Sequence, residues 1–125
     1  MSAGSETAAD LKEKEQNDRQ EVSSGIKLPN KTDKTHCSER VWPAAHGLLE
    51  FMQRRLMKGR MLELGAGTGW MALVYARQHP DDVHISCSDH PDYMQPLHQC
   101  LEMNNVPNVD ALPLDWAHPG VVEGP

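Results

Sequence analysis

Hydrophobic and polar positions divide the chain near residue 40. Residues 1–39 hold few large apolar side chains, chiefly Leu11, Val22, Ile26 and Leu28, and charges of both signs alternate without forming a stripe. Such a stretch buries too little area to offset the entropy of ordering it, so it is expected to be a disordered tail. Ala8 to Glu21, rich in helix formers, is expected to form a transient helix within it. From residue 40 the pattern becomes periodic. Ala45, Leu48, Leu49, Met52 and Leu56 recur at helical spacing and predict one amphipathic helix. Pro43 suits its first turn, the cations Arg54, Arg55, Lys58 and Arg60 crowd its far end, and Gly59 is expected to stop it. Met61 to Leu64 reads as a short strand, Trp70 to Arg77 as a short helix ended by Pro80, and Val83 to Cys87 as a second strand. Pro91 to Asn105 reads as a further helix with Met94, Leu97 and Leu101 as its buried stripe. Val109 to Leu114 follows as a third strand, which Pro113 confines to an edge or a strand end. A leading helix and then β-α-β-α-β predict an α/β fold with a parallel sheet over residues 40–118, followed by a flexible end at 119–125.

Between the first strand and its helix stand three glycines at alternate positions, Gly65, Gly67 and Gly69, in the run Arg60 to Trp70, RMLELGAGTGW. Strand, glycine turn and helix start in that order bring bare backbone up to a nucleotide-like ligand. A dinucleotide fingerprint would put its last glycine at position 70, which is Trp70, and no Gly-Lys-Ser/Thr ending marks a phosphate loop. Glu63 stands two residues before the first glycine, where a phosphate site would avoid an acid. An acid beside a glycine loop suits a ligand with a positive group, such as the ammonium or sulfonium of S-adenosylmethionine. The alternative is a strand–turn–helix joint with no ligand. Asp89 lies 24 positions after Gly65, at the end of the second strand. There its two oxygens can accept both hydroxyls of a ribose, or it caps the next helix. Asp115 and Trp116 end the third strand, on the ligand side of any parallel sheet; a turn aspartate and a packing tryptophan are the alternative.

Composition removes several classes. The chain has 125 residues and a net charge of −6, which allows one small domain and disfavours an electrostatic nucleic-acid binder. Three cysteines without a CxxC spacing argue against a disulfide framework or a zinc site. The clustering of His90, His98 and Cys100 lacks the further ligands a tetrahedral metal needs. No signal-peptide core is visible and Trp70 to Ala76 is far too short to span a bilayer, so a soluble, cytoplasmic chain is expected, with the nucleus also open.

The run E-L-G-A-G-T-G, at Glu63 to Gly69, resembles the first motif of the seven-strand S-adenosylmethionine-dependent methyltransferases. Val41-Trp42-Pro43-Ala44-Ala45 ahead of an amphipathic helix, and Leu114-Asp115-Trp116 after the third strand, resemble the METTL-type protein-lysine methyltransferase branch. The resemblance covers Val41 to about Trp116. It implies a Rossmann-like fold and methyl transfer from S-adenosylmethionine to a protein lysine. Glu63, Gly65, Ala66, Gly67 and Gly69 would surround the methionine portion, Asp89 would take the ribose, Asp115 and Trp116 the adenine, and Trp42 would wall the pocket. No residue stands out as a catalytic base.

The same resemblance covers only the first half of that fold. Its fourth strand, beside the first, and its D-x-x-Y-type motif have no counterpart here. The first strand is therefore expected to be an unpaired edge open to assembly. A truncated, inactive cofactor-binding or partner-docking fragment and a small-molecule N-methyltransferase remain as alternatives.

Overall fold

The computed structural model describes residues 6–29 and 41–118. Its elements are α1 (Ala8–Ser23), α2 (Pro43–Arg55), β1 (Gly59–Glu63), α3 (Trp70–Gln78), β2 (Val83–Asp89), a 3₁₀ turn (Pro91–Tyr93), α4 (Met94–Asn104) and β3 (Val109–Pro113). The strands form one parallel sheet in the order β1-β2-β3. This is the α/β arrangement the pattern predicts, with a leading helix and then β-α-β-α-β.

Both crossovers step in the same direction, so right-handed connections put α3 and α4 on the same face of the sheet. The register aligns Met61, Ile85 and Val109 in one row and Glu63, Cys87 and Ala111 in the next. Because side chains alternate along a strand, these rows point to the helix-covered face. Ile85, Cys87 and Val109 are buried there, against a core built from Leu73, Tyr75, Leu97 and Cys100. Successive α3 residues from Trp70 to Ala76 are all buried, because α2 covers α3 on the side away from the sheet.

Among the described elements no helix covers the opposite face, and of its strand residues only Ser88, at the tip of β2, is buried. Arg60, Leu62, His84, Ser86, Asp110 and Leu112 alternate with the core rows, and each is exposed or half-buried. Among these, Leu62 keeps 51% of its surface, and neighbouring Leu64 keeps 56%. Among the described residues β1 pairs with β2 alone, so its other edge carries no described partner strand. Parallel sheets are ordinarily covered on both faces.

Four expectations need correction. The first concerns the leader. Its described part, residues 6–29, contains a full helix and packs on the rest of the chain. Thr7 caps α1 through a reciprocal box with Asp10, at 3.0 and 3.1 Å. Beyond the helix Ile26 enters the core, and Lys27 exchanges backbone hydrogen bonds with the Asn104 side chain at 2.7 and 2.9 Å. Counting apolar residues missed this because, beside the single apolar anchor Ile26, the groups that hold the segment are polar. The rest of the expected tail and the expected flexible end at 119–125 lie outside the described residues.

The second correction is the face of α2. Leu49 and Met52 are buried as expected, but the third buried residue is His46, while Leu48 and Leu56 are exposed. The third is the end of that helix. It stops at Leu56 in the left-handed conformation (φ 50°), with the backbone N–H donating to Met52 O, rather than at Gly59. Gly59 instead opens β1 with φ +100°. The stripe of α4 is also shifted by the turn before it: Met94, Pro96, Leu97 and Cys100 are buried, and Leu101 is only half-buried. Pro96 falls in the first turn, where its missing N–H costs nothing.

Candidate cofactor site at the strand tips

A parallel sheet gathers the carboxyl ends of its strands along one edge. Glu63, Asp89 and the Asp115-Trp116 pair therefore lie on the same side of the molecule, around the glycine turn. The turn owes its shape to its residue type. Gly65 and Gly67 have φ of +65° and +59°, which a side chain would strain. It is tied to β2 by two bonds. Ala66 N–H donates to Ser88 O at 2.9 Å, and Gly67 N–H donates to Asp89 Oδ2 at 2.9 Å. The other oxygen of Asp89 accepts the N–H of His90 at 2.8 Å. Asp89 thus holds the loop while its remaining lone pairs stay available.

A cavity of about 180 Å³ opens between this turn and the start of α2. Its lining includes Trp42, Ala45, Leu48, Glu63, Gly65, Ala66, Gly67, Thr68 and Trp70. Of the residues singled out from the sequence, the cavity brings together Trp42, Glu63, Gly65, Ala66 and Gly67. Ligand pockets commonly enclose about 300–1,000 Å³. The cavity therefore suits one end of an elongated ligand, the remainder lying across the open strand tips.

Glu63 sets the electrostatics. It sits at the end of β1 on the helix-covered face, beside Cys87, whose thiol is 3.9 Å from Oε1. Burial pushes its carboxyl up to about 7, with the Asp89 charge adding to the rise and the Cys87 contact opposing it. The half-buried acid is therefore poised to ionise when a cation arrives. Cys87 is driven well above the ordinary thiol range by burial first and by Glu63 next, which leaves it protonated and unreactive.

Two singled-out residues depart from their expected surroundings. Gly69 does not line the cavity. It is buried, caps α3 with φ +76°, and a Cβ there would stand 2.8 Å from Leu97 Cδ1 and 3.2 Å from Leu101 Cδ1. Its lack of a side chain lets α4 close on the turn. Asp115 is already engaged: Oδ1 accepts the Ala117 N–H at 2.9 Å and Oδ2 lies 3.2 Å from His118 Nδ1. The Ala117 hydrogen bond and then His118 hold its carboxyl below the usual range. Trp116 is exposed, yet its Cζ2 would lie 3.8 Å from a Cβ on Gly65, so the indole flanks the glycine turn.

Several residues were not anticipated. Ser88 is fully buried and its hydroxyl donates to Glu63 O at 2.7 Å, locking the tips of β1 and β2 together. Thr68 is buried in the cavity wall and accepts the Trp70 N–H at 3.2 Å. Neither carries a spacing signal; only their place beside glycines and Asp89 hints at them.

Against known proteins, the curated relatives include the histone-arginine methyltransferase METTL23 of Homo sapiens, 30% identical over 81 residues, and that of Mus musculus, 31% identical over 81 residues. These matches take in 62% of this chain but 43% and 32% of the relatives, so the chain spans less than half their length. Among solved structures it resembles a putative caffeoyl-CoA O-methyltransferase from Staphylococcus aureus (TM-score 0.55, 16% identity, 85% of this chain and 52% of that one). It also resembles the Podospora anserina methyltransferase PaMTH1, solved with S-adenosylhomocysteine bound (TM-score 0.51, 14% identity, 92% of this chain and 53% of that one). At such identities these likenesses speak for the Rossmann-like methyltransferase fold. Residues 20–123 match the family described as lysine methyltransferase, and with most of its length so matched the chain belongs to that family.

Proposed function

We propose that the chain is the cofactor-binding half of an S-adenosylmethionine-dependent methyltransferase acting on a protein nitrogen, with the lysine side chain as acceptor. The observation that carries this reading is the convergence of Glu63, Asp89 and Trp116 on one glycine turn at the tips of three parallel strands. The residues fit the cofactor. A carboxyl that burial holds near 7 gains most from a positively charged neighbour, and the cavity beside it is sized for an amino-acid end. Asp89 offers acceptor capacity to two ribose hydroxyls, and the exposed Trp116 ring offers a flat wall to a base. Asp115 and Trp42 complete the outer boundary; Gly69 acts from behind, through packing.

Bound S-adenosylmethionine would supply an electrophilic methyl group. An acceptor nitrogen already free of its proton would attack that methyl in line, the N–C bond forming as the C–S bond breaks and its electron pair leaves on the sulfur of S-adenosylhomocysteine. These residues orient the donor and exclude water from one side of it. The family description points to lysine and the curated relatives' names to arginine, which are both side-chain nitrogens that must shed a proton to react. Site of action is read as the cytoplasm or the nucleus.

A second reading is favoured by the sheet face and the β1 edge, which no described element covers or pairs. The chain would bind the cofactor without transferring its methyl group until another polypeptide pairs with β1. A small-molecule acceptor remains the third, since fold does not set the substrate. Titration calorimetry with S-adenosylhomocysteine tests the shared element: binding is expected, and Asp89→Ala abolishes it. No heat at millimolar ligand would remove the cofactor reading. Radiolabelled methyl transfer into lysate protein then separates the first reading from the others.

A further inference from the structure

α1 has a single buried residue, and it is an acid, Glu21. A helix held by the hydrophobic effect would bury a stripe; this one aims a carboxylate inward. Glu21 Oε2 lies 3.0 Å from His46 Nε2, and Gln20 Oε1 lies 2.6 Å from Nδ1 of the same ring. His46 and Glu21 are 7% and 8% exposed. A buried acid and imidazole are tolerated only when each meets a partner, so this grip fixes how α1 seats on α2.

The His46 ring in turn packs on Trp70, with centroids 4.4 Å apart and planes inclined by 40°. The indole N–H of Trp70 donates to Ser24 Oγ at 3.2 Å, at the C-cap of α1. The Ser24 hydroxyl itself donates to Glu21 O at 2.6 Å. Trp70 is thus held twice from α1, once through His46 and once directly. It is also the residue after Gly69, the first of α3, and a wall of the cavity that holds Glu63 and Gly67.

We propose that α1 is a positioning strut for the cofactor cavity: Gln20 and Glu21 fix His46, and His46 with Ser24 fixes the indole of Trp70, a residue that lines the cavity. The strut rests on the cofactor reading for its functional consequence but not for its mechanics. Undocking α1 frees the indole to turn, which loosens the turn from Gly67 to Trp70 and lowers affinity for a ligand seated there. None of Gln20, Glu21 and Ser24 lines that cavity, so their influence on it runs through Trp70.

The test uses the full chain with Glu21→Ala, Ser24→Ala and the conservative Glu21→Gln, which keeps an acceptor for His46. Two readouts are taken: the dissociation constant for S-adenosylhomocysteine, and hydrogen exchange of the amides of residues 67–71. Loss of one such hydrogen bond corresponds to about tenfold in an equilibrium. Glu21→Ala and Ser24→Ala are therefore expected to weaken binding by about tenfold, a change of about 1.4 kcal/mol. They should speed exchange at 67–71 to a similar degree, while Glu21→Gln restores most of both. If Glu21→Ala does not fold, Ser24→Ala, which removes one hydroxyl, decides alone. Wild-type exchange at 67–71 in a variant whose residues 8–23 exchange freely would overturn the strut. If the wild type binds no S-adenosylhomocysteine but exchange at 67–71 responds as expected, the cofactor reading falls and the strut stands.

Discussion

Glu63→Gln isolates the charge at the heart of the site. In the folded chain the Glu63 carboxyl titrates at about 7 rather than 4.5, chiefly because burial disfavours the ionised form. At about 1.4 kcal/mol per pH unit, ionised Glu63 costs the fold at most about 3 kcal/mol. The sign follows from which form the fold prefers. The neutral acid is favoured when folded, so its contribution is fully present below pH 4.5 and is lost as pH rises through about 7. Glutamine keeps the shape and cannot ionise. Urea unfolding of wild type and Glu63→Gln at a series of pH values separates this group from every other titrating group, which cancel in the difference. The variant's advantage should grow from near zero at about pH 4 to about 3 kcal/mol at about pH 8, a midpoint shift of roughly 1–3 M urea for a domain of this size. Curves that run parallel across that range would refute the assignment of the burden to Glu63. The same carboxylate should govern binding. If a cation docks on it, affinity for S-adenosylmethionine falls by about tenfold per pH unit below about 7, levels off above it, and loses that dependence in Glu63→Gln.

Two glycine substitutions should move stability in opposite directions. Gly69→Ala meets Leu97 at 2.8 Å in a left-handed backbone and is expected to destabilise by about 2 kcal/mol or more. Gly47→Ala on α2 meets nothing within 4 Å and should stabilise by about 0.5–1 kcal/mol, both read by chemical denaturation. Asp89→Asn removes a charged acceptor from the Gly67 N–H, so a loss of about 1–2 kcal/mol should accompany the loss of cofactor affinity. On the sheet face away from the helices, Leu62→Lys should leave stability unchanged in chemical denaturation, since that side chain is 51% exposed and alternates with the core row.

How much of this was legible before folding follows from the range over which each signal acts. Strands β1, β2 and β3, the glycine turn and the helices after it announce themselves within a few residues, through periodicity and through backbone that only glycine accepts at Gly65 and Gly67. Acids at strand ends were legible for the same reason: once a parallel sheet is granted, Glu63, Asp89 and Asp115 must share an edge. The role of Gly69 was not, because the neighbour that forbids a Cβ there is Leu97, an element away. The order of residues 6–29 was not legible because, Ile26 apart, their anchors are polar. Gln20 and Glu21 gain their value only when His46, about 25 positions on, turns its ring toward them. That His46 and not Leu48 faces inward on α2 likewise depends on where α1 sits. The chain's own order of residues thus determined the elements, their parallel sheet and the line of carboxylates at its tips. Only tertiary contact decided which of those groups are desolvated, which glycine serves packing, and what grips Trp70, since burial and partnership belong to the assembled neighbourhood rather than to any single stretch.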